Sequence, residues 1–86
     1  MTQPTPVHDN AEILALLVSF RDEPGVLFRV TEVIFRAGGN VKYVATTGVG
    51  EATAEIQFEV AGIDDSARLM AALTRLEHVL SVAVVP

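Results

Sequence analysis

Residues 12–20, EILALLVSF, are largely apolar in both of their alternating sets, Leu14, Leu16, Val18 and Phe20 on one side and Ile13, Ala15, Leu17 and Ser19 on the other. A run of that length with two apolar faces predicts a strand in the middle of a sheet. After the loop RDEPG the period changes. Val26, Leu27, Val30, Val33, Ile34 and Ala37 fall on one helical stripe with Arg29, Glu32 and Arg36 opposite, which predicts an amphipathic helix beginning at Pro24 or just before it. Gly38 and Gly39 end the helix, because glycine takes the left-handed backbone of a helix end without a side-chain clash.

A strand pattern returns at Asn40. NVKYVATTG has strand composition, Gly48, Val49 and Gly50 read as a turn, and EATAEIQFEV alternates Ala54, Ile56, Phe58 and Val60 inward against Glu55, Gln57 and Glu59 outward. These two strands are expected to form a hairpin. Asp64 or Asp65 then caps a second helix with Leu69, Met70, Leu73 and Leu76 as its buried stripe, and VLSVAVV closes the chain as a last strand. The order β-α-β-β-α-β is the split pattern of a ferredoxin-like α+β sandwich. Right-handed crossovers give a four-stranded antiparallel sheet in the order 4-1-3-2 with both helices on one face. The other face and the second strand, whose only charge is Lys42, are left bare, and both predict self-association.

Composition fits that expectation. A chain of 86 residues is one small domain that removes only roughly 60–65% of its unfolded surface from water, so its stability is expected to lean on a second subunit. Half of the residues are hydrophobic, yet no apolar run approaches the ~18 residues of a membrane span. Six Lys plus Arg against eleven Asp plus Glu leave a formal charge of -5, which repels nucleic-acid phosphates and anionic lipid. With no cysteine there are no disulfides and no thiolate chemistry, and a cytoplasmic location is compatible. Residues 1–11, with Pro4 and Pro6 and no signal-peptide pattern, are expected to be a flexible tail ahead of a domain over 12–86.

The candidate chemistry lies in DEPGVL. A helix starting there offers the N–H groups of Gly25, Val26 and Leu27 together with the positive end of its dipole, which suits an anion. Gly25 keeps side chains off that backbone and Pro24 fixes the approach of the chain. Asn40 adds an amide that both donates and accepts. A reading without ligand is also open, with Asp22 as a helix cap, Pro24 and Gly25 as a rigid turn and Asn40 as a turn residue. His8 and His78 are too far apart in sequence to suggest a metal site. Ser19, Ser66 and Ser81 lack an activating context, and Phe20, Phe28, Phe35 and Phe58 lack the basic flank of an RNA-binding sheet. No cofactor is expected.

FRDEPGVLFRVTEVIFRAGGNV resembles the opening half of an ACT domain, the small-molecule-sensing module of amino-acid metabolism. DSARLMAALTRLEHVLSVAVV is similar to the end of the C-terminal ACT domain of stringent-response guanosine pentaphosphate synthetases and hydrolases. The resemblance spans residues 13–85 and implies a regulatory rather than catalytic domain that pairs with a copy of itself and holds an amino acid at the seam. On that pattern the ligand residues are Asp22, Glu23, Pro24, Gly25, Val26, Leu27, Asn40 and Val41. Serine-sensing members carry a histidine where this chain has Phe20, and an asparagine where it has Asp22. The departure implies a ligand ammonium on Asp22, with the carboxylate on the helix end. Phe28 and Phe35, seven apart and off the centre of the buried stripe, are expected to form the dimer interface with Val41, Tyr43 and Ala45 on the bare edge, setting Gly25 of one copy near Asn40 of the other. Two alternatives are a dimerisation domain without ligand and a small acylphosphatase-like hydrolase using Arg29 and Asn40.

Overall fold

The structure, a computed structural model, describes residues 12–86; the expected tail over 1–11 lies outside the described residues. The elements run β1 (Ile13–Arg21), α1 (Val26–Arg36), β2 (Asn40–Val49), β3 (Thr53–Ala61), α2 (Ser66–Thr74) and β4 (Val79–Val84). The four strands form one sheet in the order β2-β3-β1-β4, every neighbouring pair antiparallel. This is the expected ferredoxin-like order, and β1 is interior because both of its side-chain sets are apolar.

The core lies between the helices and one sheet face. Leu16, Val18 and Phe20 of β1 and Ile56, Phe58 and Val60 of β3 meet Val26, Val30 and Ile34 of α1 and Leu69 and Leu73 of α2. On α1 the buried set is one ridge at spacing four, narrower than the sequence stripe: Leu27 and Ala37 are exposed and Val33 is half-buried. Asp65 caps α2, its carboxylate accepting from the Arg68 N–H at 3.0 Å. Leu76 lies beyond the last turn of that helix and still packs against the core from the connection to β4.

Two local expectations are corrected. Gly48 and Val49 belong to β2, and the turn is made by Gly50, Glu51 and Ala52, with the Gly50 N–H donating to the Thr53 carbonyl at 2.8 Å. The register shifts at Thr47, where Thr46 faces Ile56 but Gly48 faces Glu55, and pairing then continues to Val49 opposite Ala54. Thr47 is the extra, unpaired residue of this bulge, and its hydroxyl donates to the Glu55 carboxylate at 3.1 Å. Asp22 does not cap α1. That position is taken by Gly25, at φ 86, with no side-chain cap.

Gly39 shows how tightly α1 is joined to the sheet. A Cβ there would stand 2.7 Å from Val60 Cγ1 and 2.8 Å from Ile34 Cγ2, both core atoms. Gly39→Ala is therefore expected to lower stability by about 1–3 kcal/mol in urea unfolding. Gly48→Ala, whose methyl group meets only Glu55 at 3.5 Å, is expected to show no comparable loss.

Candidate functional site

The loop between β1 and α1 is tied down at each step. The Arg21 N–H donates to the His78 carbonyl at 2.8 Å, the Asp22 N–H to Ala52 at 2.9 Å in the β2–β3 turn, and the Glu23 N–H to Arg21 at 2.8 Å. The Val26 N–H then donates to the Glu23 carbonyl at 3.2 Å and closes a turn through Pro24 and Gly25. That turn explains why helix and cap start later than the sequence pattern suggests: the left-handed Gly25 reverses the chain, and its carbonyl accepts the first helical bond, from Arg29 at 3.0 Å. Val26 therefore has no free N–H. Among the described residues no acceptor meets the N–H of Gly25 or Leu27.

A groove of about 380 Å³ opens at this end of α1. Asp22, Glu23 and Gly25 stand at its mouth, and Leu27 and Phe28 form the helix wall. Phe20, Ala54 and Ile56 floor it from β1 and β3, while Thr46 and Val49 wall it from β2. Of the sequence-derived ligand residues, Asp22, Glu23, Gly25 and Leu27 line this groove. Val26 is buried in the core beneath it, and Pro24 sits exposed in the turn. Asn40 and Val41 lie past the other end of the 11-residue helix, roughly 16 Å away along its axis. A hydrolytic pairing of Arg29 with Asn40 is separated by most of α1 in the same way, and neither residue lines the groove.

The β2 side of the domain carries the largest exposed apolar residues. Phe28 and Phe35 are 67% and 75% exposed on α1. Tyr43 and Ala45 face the uncovered side of the sheet, opposite Glu59 and Gln57, whereas Val41 and Val44 face the helix side, opposite Val60 and Phe58. A larger groove of about 530 Å³ separates the two helices, lined by Arg36, which pairs with Glu32 at 3.2 Å, by Asp65, which caps α2, and by Asp64 and Arg68. The groove at the loop is taken as the candidate site, because residues with N–H groups free of acceptors among the described residues, Gly25 and Leu27, line it.

The sequence pattern points to neither Thr46 nor Val49; Thr46 lies within the expected strand, and Val49 reaches the groove because β2 continues past the expected turn. Ala54 and Ile56 were legible as inward positions of β3, but their place beside the loop follows from the sheet order.

Residues 11–83 match the ACT domain family. The chain belongs to that family. ACT domains are regulatory modules, and the fold agrees. The chain is similar to the ACT domain from the GTP pyrophosphokinase of Chlorobium tepidum, at 14% identity and TM-score 0.70, over 85% of this chain and 96% of that one. A formyltetrahydrofolate deformylase from Pseudomonas putida is similar at 16% identity and TM-score 0.72, over 87% of this chain and 29% of its own. The regulatory subunit of aspartate kinase from Thermus thermophilus, in its ligand-free form, is similar at 18% identity and TM-score 0.62, over 88% of this chain and 51% of its own. Identities this low carry the fold alone. Comparison with curated proteins returns no match. No helix among the described residues is long and apolar enough to cross a membrane.

Within this ACT domain Gly25 holds a conformation that other residues adopt at a cost, although a Cβ there would meet nothing within 4 Å. Gly25→Ala is expected to cost about 1–2 kcal/mol through backbone strain. Chemical denaturation checks it, with the core NMR resonances unchanged.

Proposed function

We propose that this chain is a ligand-sensing ACT domain that binds an amino acid in the groove at the head of α1 and controls an enzyme of amino-acid metabolism or the stringent response. The observation that carries the reading is the groove itself, lined by the acidic residues Asp22 and Glu23 and by Gly25 and Leu27, whose N–H groups meet no acceptor among the described residues. The carboxylates suit an ammonium group. The helix end suits a carboxylate. Membership of the ACT domain family, whose members are regulatory modules, supports a regulatory role.

Two copies pair through the β2 edge and the exposed flank of α1. The carrying argument is geometric: β2 is an edge strand, and a two-fold axis beside its midpoint, perpendicular to the strand, sets the two β2 strands antiparallel. The Asn40 end of one strand then meets the Val49 end of the other. Val49 lines the groove, so the partner subunit's Asn40 arrives at its rim, and Phe28 and Phe35 pack against the partner.

Heteronuclear NMR titration tests the site. Millimolar amino acid is expected to shift the Gly25 and Leu27 amides, and a panel of all twenty that leaves both unmoved refutes it. For the pairing, losing a buried interface aromatic costs about 2 kcal/mol or more. The Phe28→Asp/Phe35→Asp double variant should therefore sediment as a folded monomer with weakened amino-acid binding, and a variant that still dimerises places the interface elsewhere.

A further inference from the structure

The face of the sheet that the helices leave uncovered carries a pattern that packing inside the domain does not use. Register sets Ala45 of β2, Gln57 of β3, Leu17 of β1 and Ala83 of β4 side by side in its middle row. To one side of that row Glu59 stands between Tyr43 and Ala15, and to the other Glu55 stands between Gly48 and Ser19. Both acidic residues are half-buried, and their carboxylates are held by neutral donors alone. Glu55 accepts from the Ser19 hydroxyl at 3.4 Å and the Thr47 hydroxyl at 3.1 Å, and Glu59 from the Gln57 amide at 3.5 Å. Among the described residues neither meets a cation, the ion pairs there being Arg36 with Glu32 and His78 with Glu77. Gly48 puts no side chain beside Glu55, and a recess of about 380 Å³ lined by Ser19, Thr53, Glu55 and Leu80 opens there.

We infer that this face docks a basic amphipathic helix of a partner protein, with the helix's apolar stripe on the low middle row and its lysine or arginine side chains on Glu55 and Glu59. The inference does not depend on the amino-acid site, which opens on the helix side of the sheet. Charge decides the kind of occupant: covering unpaired carboxylates is costly, so whatever lies on them has to bring cations. A second copy cannot. The strands carry only Arg21, at the end of β1, and Lys42, in a bulge of the edge strand β2, and two such faces stacked would bring both pairs of carboxylates into one layer. Backbone chemistry decides the shape. The hydrogen bonds of a sheet run in its own plane, so its face offers nothing to the backbone of an extended segment, whereas a helix satisfies its own. Glu55 and Glu59 lie four residues apart along β3, about 13 Å, which cations seven or eight residues apart on one helix face can span.

NMR titration of the isotope-labelled full chain tests it, with a synthetic helical peptide of leucine, alanine and lysine as the probe, about five turns long and with its lysines seven apart beside the leucine stripe. The peptide is expected to move the methyl resonances of Leu17, Ala45 and Ala83 and to leave the rings of Phe28 and Phe35 in place. The Glu55→Gln/Glu59→Gln double variant should weaken it by roughly tenfold, and added salt should weaken binding to the unaltered chain more than to that variant. Ala83→Arg, at an exposed position on the edge strand, sets bulk and like charge on the floor and should cost a similar factor. A twin peptide with glutamate for lysine is expected not to bind. The docking is wrong if the lysine peptide does not bind, if the twin binds as tightly, if the double variant keeps full affinity, or if the shifts gather at Phe28 and Phe35. It is equally wrong if Leu17 and Ala83 already meet a second copy in the chain alone.

Discussion

The seating of one helical ridge on the sheet governs the remaining geometry. Val26, Val30 and Ile34, spaced four apart, are 1% exposed or less against the inward rows of β1 and β3. Removing each such side chain from water is worth roughly 1.5–3 kcal/mol, which fixes the rotation of α1 about its own axis. With that rotation set, Phe28 and Phe35 have to point away from the core. The exposed apolar face of α1 is therefore a consequence of good core packing on the other side of the same helix, and it is the face through which the proposed second copy would pack.

The same seating places the loop. The first buried residue of α1 follows Gly25 directly, so the chain must reverse from β1 into the helix within four residues, Asp22, Glu23, Pro24 and Gly25. A left-handed glycine makes that reversal possible, and the bonds from Arg21 to His78 and from Asp22 to Ala52 hold the loop against the sheet end. Gly25 is thus both the cap of the helix and the bare backbone at the groove. On the proposed reading structure and recognition use the same atoms, and a substitution there is expected to affect both.

Much of the fold was legible because burial writes itself into periodicity. The doubly apolar β1 could only be interior, the alternation of β3 named its inward face, and Asp65 was visible as a cap. The misplaced details depend on single hydrogen bonds. The register shift at Thr47 and the run of β2 to Val49 leave no hydrophobic signature, and the turn closed by the Val26 N–H shifts the helix start past Pro24 without altering the apolar stripe. The site was half legible. Its loop could be read from residue types, but the floor is assembled from β1, β2 and β3, three segments whose adjacency exists only in the folded sheet. Phe20 stands out in the sequence for its departure from a family pattern, and the fold places it in the floor of the groove.

The central claim is that two copies meet at the β2 edge and thereby complete the groove. Intermolecular nuclear Overhauser effects test it most directly, in a sample mixing isotope-labelled with unlabelled chains. The account predicts contacts from Val49 and Phe28 of one copy to Asn40 and Phe35 of the partner subunit. Contacts confined instead to Leu17 and Ala83, on the uncovered side of the sheet, or a chain that stays monomeric with amino acid bound, would contradict it.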